Sequence, residues 1–155
     1  MASIKAIALD VDGVLTDGTF WWGFDGSELK RFSYRDVMGI ARATRQGILF
    51  ALISGEANPL IDRYAEKLHI QHVEQGCKDK EAALRCFADK AQIDLADICF
   101  MGDDVNDLGA LKIAGFSAAP ADAHESVRSI VQFISQYPGG QGAVREVLDR
   151  LVFQK

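Results

Sequence analysis

Asp10 and Asp12 stand two residues apart in Asp10-Val11-Asp12-Gly13-Val14-Leu15-Thr16-Asp17, directly after an apolar run of strand length. If the chain leaves a strand at Asp10 and turns at Gly13, both carboxylates meet one small site beyond the strand's carboxyl end, where open α/β sheets bind ligands. One carboxylate is then placed to attack while its neighbour carries a proton, a division of labour that suits phosphate chemistry. Ser54-Gly55 closes a second apolar run, Leu49 to Ile53; a hydroxyl and a glycine-permitted turn there can donate hydrogen bonds to phosphate oxygens. Lys80 falls where a helix is expected to start and would set a fixed positive charge near a phosphoryl group, although a solvated helix-terminal lysine looks the same. Gly102-Asp103-Asp104-Val105-Asn106-Asp107 follows a third run, Ile98 to Met101. Its clustered hard oxygen ligands suit Mg²⁺ and exceed what capping a helix needs.

The elements that must position these residues can be read from periodicity. Apolar runs of strand length lie at Lys5 to Leu9, Leu49 to Ile53, His72 to Gln75, Ile98 to Met101, Phe116 to Ala118 and Ile130 to Ile134. Between them the period becomes helical. Pro59 opens a stripe of Leu60, Ile61, Tyr64, Ala65 and Leu68; Ala83, Leu84, Phe87, Ala88 and Ala91 form another, and Val144, Val147, Leu148 and Leu151 a third. Asp36 to Gln46 is expected to be a helix with Asp36 as N-cap and Gly47 as terminator. This β-α-β-α order predicts an α/β fold, a doubly wound parallel sheet with helices on both faces. One stretch, about residues 18–34, breaks the alternation: Asp25-Gly26 signals a β-hairpin whose two tryptophans and three phenylalanines exceed what two short strands can bury. Its apolar face is expected to meet another subunit rather than its own core.

Composition narrows the function classes. The 155 residues suit one domain, 1–155, and carry 48% hydrophobic residues and a net charge of -5. With no run of Lys or Arg, the surface that neutralises nucleic-acid phosphates is missing, so no nucleic acid is expected as partner. The first apolar stretch contains Lys5, is too short for a membrane span and has no cleavage region, which predicts a soluble cytoplasmic protein with no membrane partner. Cys77, Cys86 and Cys99 match no C-x-x-C pattern and are read as reduced thiols, and the scattered His69, His72 and His124 are assigned no chemistry.

The motifs in this order, Asp-x-Asp-Gly-x-Leu-Thr, Ser-Gly, Lys and Gly-Asp-Asp-x-x-Asp, resemble the haloacid dehalogenase superfamily of phosphotransferases over nearly the whole chain. The resemblance implies Asp10 as nucleophile, Asp12 as general acid/base and Lys80 as the catalytic cation. It further implies Mg²⁺ held by the Asp10 side chain, the Asp12 backbone carbonyl and Asp103, with Asp104 and Asp107 orienting metal waters and Lys80. Ser54 and Gly55 would hold the phosphoryl group. Physics independently asks for such cations: a carboxylate and a phosphate oxygen repel by on the order of 4 kcal/mol per unit-charge pair at 4 Å in an effective dielectric of 20. No cap domain is expected, since Asp17 to Arg35 has room only for the hairpin and Gly55 to Lys80 only for a helix and a strand.

A closer resemblance is to the capless, tetrameric phosphatases of 3-deoxy-D-manno-octulosonate 8-phosphate and of nonulosonate 9-phosphates. It rests on Asp12 to Gly18, Phe32-Ser33-Tyr34-Arg35-Asp36, Gln75-Gly76 with Asp79-Lys80, Gly102 to Asp107, and Gly139-Gly140-Gln141-Gly142-Ala143-Val144-Arg145-Glu146. It implies a homotetramer built through the hairpin, a sugar-acid phosphate as substrate, Thr16 and Arg35 among the substrate contacts, and a Gly-rich tail element, about 138–143, near the substrate. Two positions depart from the octulosonate pattern. Val37 replaces a usual Gly, and Glu56 replaces a usual Arg; Glu56 with Lys67 is similar to the nine-carbon branch, so both sugar acids stay open. A receiver-like phospho-signalling module is the alternative of another class, but receivers place the phosphoacceptor after the third strand, where this chain has no such Asp.

Overall fold

Ala6-Ile7-Ala8-Leu9 is buried at every position, which only a strand covered on both faces allows. In the computed structural model, which describes residues 3–154, this strand is β1 (Ala6–Leu9) and lies inside a six-stranded sheet. Positions 1, 2 and 155 of the expected domain lie outside the described residues. The order of the remaining elements is β2 (Trp21–Trp22), β3 (Glu28–Leu29), α1 (Tyr34–Arg45), β4 (Leu49–Ile53), α2 (Pro59–Leu68), β5 (His72–Glu74), α3 (Lys80–Ala91), β6 (Ile98–Met101), α4 (Leu108–Ile113), β7 (Phe116–Ala119), α5 (Glu125–Arg128), β8 (Phe133–Ile134) and α6 (Ala143–Leu148).

The large sheet runs β5-β4-β1-β6-β7-β8 with every pairing parallel. The chain winds outward from β1 through β4 to β5, then crosses to the other side of β1 and continues through β6, β7 and β8. This reversal beside β1 opens a crevice at the carboxyl ends of β1, β4 and β6, the place where doubly wound sheets bind ligands. Alternate residues of each strand feed two cores. Ile7, Leu9 and Leu52 pack with Ile40, Ile61, Tyr64, Val144 and Leu148, from α1, α2 and α6. On the opposite face Ala6, Ala8, Ile53 and Phe100 pack with Leu84, Phe87, Ala110 and Val127, from α3, α4 and α5. The small alanines of β1 leave room there for Phe87 and Phe100, an exchange of large for small that keeps the layer dense.

Two expected boundaries move. Asp36 is not the N-cap of α1: the helix begins at Tyr34, and the Ser33 side chain accepts the Arg35 N–H. Ser33 takes the cap because it precedes the helix in extended backbone. The Asp36 carboxylate, fully buried, serves another helix instead: its Oδ1 accepts the Arg145 N–H at 2.9 Å, at the start of α6, where Gly142 offers no capping side chain. The last strand is also shorter than expected, since the unforeseen α5 and its closing turn absorb residues up to Val131. Pro59 does open α2, preceded by Asn58, whose side chain accepts the Leu60 N–H. All three cysteines are free, and burial pushes the Cys99 thiol up to about 12.

The hairpin forms where Asp25-Gly26 predicts it, with Trp21 opposite Leu29 and Trp22 opposite Glu28. Phe20, Trp21, Trp22, Phe24 and Leu29 all face outward. Only Phe32, beyond the hairpin, returns to the core, stacked on Tyr64 at 4.6 Å between ring centroids. The stretches on either side of Ser54 hold the hairpin and α2-β5 and no cap. Among the described residues, no helix is long and apolar enough to cross a membrane.

Burial raises the Asp36 carboxyl to about 6, against the pull of the α6 amides, and among the described residues its Oδ2 has no hydrogen-bond partner. The folded chain therefore binds this proton more tightly than the unfolded chain, so the contribution to stability is greatest at low pH and is lost as pH rises from about 4 to 6. Denaturant unfolding of wild type and Asp36→Asn, compared at pH 4 and pH 7, should show wild type gaining on the variant by on the order of 2–3 kcal/mol at the lower pH.

Candidate active site

The site is built on the loop that leaves β1. The Asp10 amide donates to Met101 O at 3.0 Å, the last rung between β1 and β6. The chain then wraps around a single acceptor, Val11 O, which receives the amides of Val14, Leu15 and Thr16. Gly13 turns with φ +87°, and a Cβ there would lie 1.9 Å from Asp103 Oδ2, so both conformation and space demand glycine. Thr16 is buried beneath this loop, its Oγ1 accepting the Gly13 and Gly18 amides at 3.2 Å each. It braces the turn and does not reach the crevice, unlike the substrate contact expected of it. The segment 139–142 presses on the same loop: Gly140 N donates to Val14 O at 3.0 Å, and a side chain at Gly139 would strike Gly13 O.

Lys80 enters from the first turn of α3, held there by the Asp79 cap that accepts the Ala82 N–H. Its side chain is 1% exposed and its Nζ lies 2.8 Å from Asp10 Oδ1 and 2.7 Å from Asp107 Oδ1. Asp10 Oδ1 also accepts the Val11 N–H at 2.8 Å. The other oxygen of Asp107 accepts the amides of Asp103 and Asp104 at 2.9 and 3.2 Å. Asp107 therefore ties the lysine to the loop after β6, while Asp104 caps the short turn that follows through Val105 N–H. Asp103 Oδ1 is buried and, among the described residues, unpartnered.

The electrostatics follow from this count of charges. Asp10, Asp103 and Asp107 each bring a carboxylate oxygen within 4.8 Å of the others, and Lys80 supplies one positive charge against three negative. Burial, then the Asp107 charge, drive the Asp10 carboxyl well above the ordinary carboxylate range, although Lys80 pulls it down. Burial likewise raises Asp103 to about 6. Burial works against the Lys80 charge, but Asp10 and Asp107 outweigh it and hold the ammonium firmly protonated.

Across the crevice, Ser54 directly follows β4, its amide bonded to Glu74 O at 2.8 Å and its Oγ accepting the Glu56 N–H at 3.2 Å. Asp10, Asp12, Ser54, Gly55, Glu56 and Asp103 share one cleft of about 400 Å³. Arg35 and Lys67 do not join them. Arg35 lines a separate hollow with Arg145 and Glu146, and Lys67 lies over the Tyr34 ring at 5.8 Å in a groove between α1 and α2. One residue that sequence reasoning overlooked does reach the site. Lys30, just past β3, has a side chain only 3% exposed and places Nζ 2.6 Å from Asp12 Oδ1 and 3.4 Å from Glu28 Oε2. The sequence offers only a lysine between Leu29 and Arg31 at the end of a hairpin rich in aromatics, and nothing in it says that Lys30 points inward.

Comparison with known proteins agrees with this geometry. The haloacid dehalogenase-like hydrolase family matches residues 73–148. The 3-deoxy-D-manno-octulosonate 8-phosphate phosphatase of Escherichia coli K12 is 37% identical over 150 residues, covering 97% of this chain and 80% of that protein. The corresponding phosphatase of Yersinia pestis is 36% identical over 151 residues, covering 97% and 81%. Among solved structures, the Moraxella catarrhalis phosphatase of that name, in complex with magnesium ion, phosphate ion and KDO, superimposes with a TM-score of 0.95 at 37% identity, covering 98% of this chain and 87% of that one. The cobalt-bound Haemophilus influenzae enzyme gives 0.94 at 34% identity, covering 98% and 89%. Together with the parallel sheet and the acidic crevice beyond β1, these likenesses make the chain a member of the haloacid dehalogenase-like hydrolase family.

Proposed function

We propose that this protein is a Mg²⁺-dependent phosphomonoesterase that hydrolyses 3-deoxy-D-manno-octulosonate 8-phosphate to the sugar acid and phosphate. The observation that carries the reading is the buried Asp10-Lys80-Asp107 cluster opening onto Asp12 and Ser54 in a single cleft. The residues present fit a divalent cation. Three carboxyl groups against one ammonium would leave two negative charges in a buried site when all are ionised, and among the described residues Asp103 Oδ1 has no partner. Asp10, the Asp12 carbonyl and Asp103 would hold the ion, while Asp107 is already committed to Lys80 and two amides. Mg²⁺ supplies the positive charge that lets a carboxylate approach a phosphate dianion.

In this mechanism the Asp10 carboxylate forms a bond to phosphorus as the ester P–O bond breaks, and Asp12 gives its proton to the departing alkoxide. Asp12 then takes a proton from the water that attacks the aspartyl phosphate, releasing inorganic phosphate and restoring Asp10. Lys80 and the Ser54 hydroxyl stabilise the phosphoryl oxygens throughout. Asp10→Asn should abolish turnover by at least about 10³-fold while leaving the circular dichroism spectrum unchanged. Removing Mg²⁺ with EDTA should silence wild type reversibly; activity that survives either change would refute the mechanism.

The substrate class rests on the relatives and on the open, capless cleft. A nine-carbon nonulosonate 9-phosphate is the second reading, supported by Glu56, an acid in the lining of that cleft. A carboxylate there suits sugar hydroxyls better than a second carboxylate. Assayed by kcat/KM against both sugar-acid phosphates and simple hexose phosphates, the octulosonate ester should lead, and Glu56→Arg should widen its lead over the nine-carbon ester. Preference for a hexose phosphate would overturn the substrate assignment.

The outward aromatic face of the hairpin supports a homotetramer in which a neighbouring chain covers the cleft that no cap covers. The single domain 1–155 would act in the cytoplasm, where free thiols stay reduced. Light-scattering mass should report four chains for wild type and a smaller species for Trp21→Glu/Trp22→Glu.

A further inference from the structure

Among the described residues, the Asp12 side chain receives a hydrogen bond from one donor, the Lys30 ammonium at 2.6 Å. Asp12 sits on a loop, its side chain is 29% exposed, and no backbone amide caps it. Lys30, by contrast, is sunk to 3% exposure. A lysine buried that deeply is costly unless fully paired, so its position is set by its carboxylate partners. The second of these, Glu28, is itself anchored. Its Oε2 accepts the Asn58 Nδ2–H at 2.7 Å and its Oε1 accepts the Trp22 indole N–H at 3.3 Å. Asn58 in turn caps α2 through the Leu60 amide at 2.8 Å, and its own amide donates to Gln75 Oε1 at 2.8 Å. A continuous polar path therefore runs from the start of α2 through Glu28 and Lys30 to Asp12 Oδ1, leaving Asp12 Oδ2 without a partner among the described residues.

The geometry points to Lys30 as a positioning residue for Asp12, a role that rests on Asp12 acting as the general acid/base. Lys30 holds one carboxylate oxygen so that the other faces the cleft, where the leaving oxygen and later the attacking water must be met. Glu28 and Asn58 hold Lys30 in turn. The hairpin thus contributes to chemistry from within its own chain, through its inward polar edge, while its aromatic edge points out.

The consequence depends on the leaving group. A sugar alkoxide needs a proton as it departs, whereas p-nitrophenolate leaves without one. Lys30→Met should therefore lower kcat/KM for the sugar-acid phosphate at least about tenfold more than for p-nitrophenyl phosphate, mainly in kcat, with Lys30→Arg recovering most of the loss. Asp12→Asn should show the same selectivity, and adding Lys30→Met to it should cost no further on the alkyl ester. Glu28→Gln, which removes a charge without emptying space, should shift the ratio in the same direction by a few-fold and covers the case in which Lys30→Met fails to fold. Equal losses on both esters, or a loss confined to KM, would overturn the assignment. If Asp12→Asn is selective and the Lys30 and Glu28 variants are not, this inference alone fails; if Asp12→Asn is not selective, the general-acid reading fails with it.

Discussion

Everything in the crevice depends on one buried ammonium. Lys80 stands between Asp10 at the end of β1 and Asp107 beyond β6, and it is the cation that lets two carboxylates share a space almost closed to water. Removing one partner of such a cluster leaves an uncompensated buried charge, a far larger cost than the intact cluster contributes in stability. The cluster is thus a constraint on geometry more than a source of stability. It fixes the distance between the loop after β1 and the loop after β6, and those loops carry Asp10, Asp12, Asp103 and Asp107.

That constraint explains the order of the strands. β1 lies between β4 and β6, so the carboxyl ends of all three converge, and the reversal of winding keeps a crossing helix from covering the point of convergence. Asp10, Ser54 and Asp103 are each one or two residues past the end of a different strand. The glycine at 13 then lets the Asp103 side chain lie against the Asp12 loop, where any larger residue would collide with it. Rigid strand ends set the chemistry, because Asp10, Ser54 and Asp103 stand so close to them that little freedom to drift is left.

Much of this was legible in the sequence because the signals are local. A buried parallel strand reads as a continuous apolar run, and an acid, a serine or an acidic cluster at its end is marked by position alone. The misplaced features are those decided by contacts between distant segments. Asp36 looks like a cap because its residue type is right, yet it caps α6, more than a hundred residues on, through the Arg145 amide. Thr16 looks like a phosphate ligand because it lies in the motif, yet the loop spends its hydroxyl on two amides. Arg35 and Lys67 have suitable charges, but the turns of α1 and α2 carry them to other hollows. Lys30 is the converse case, where a fold-back places a surface-like residue beside a catalytic acid.

The hairpin shows why these two kinds of information meet at its strands. With two paired residues on each strand, it has too little buried area to be stable as an isolated ribbon. What fixes it within the chain is polar and inward, the contacts of Glu28 and Lys30, together with Phe32 stacked on Tyr64 at its exit. What remains outward includes the large apolar side chains of Phe20, Trp21, Trp22, Phe24 and Leu29. A cation buried against the hairpin's own chain cannot be satisfied by a neighbour, and an aromatic face turned outward cannot be satisfied by its own chain. The same short segment therefore faces two requirements, one set by the acid it touches and the other by whatever covers it. The two sides are joined inside the hairpin itself, where the Trp22 indole N–H donates to Glu28, Glu28 pairs with Lys30, and Lys30 reaches Asp12.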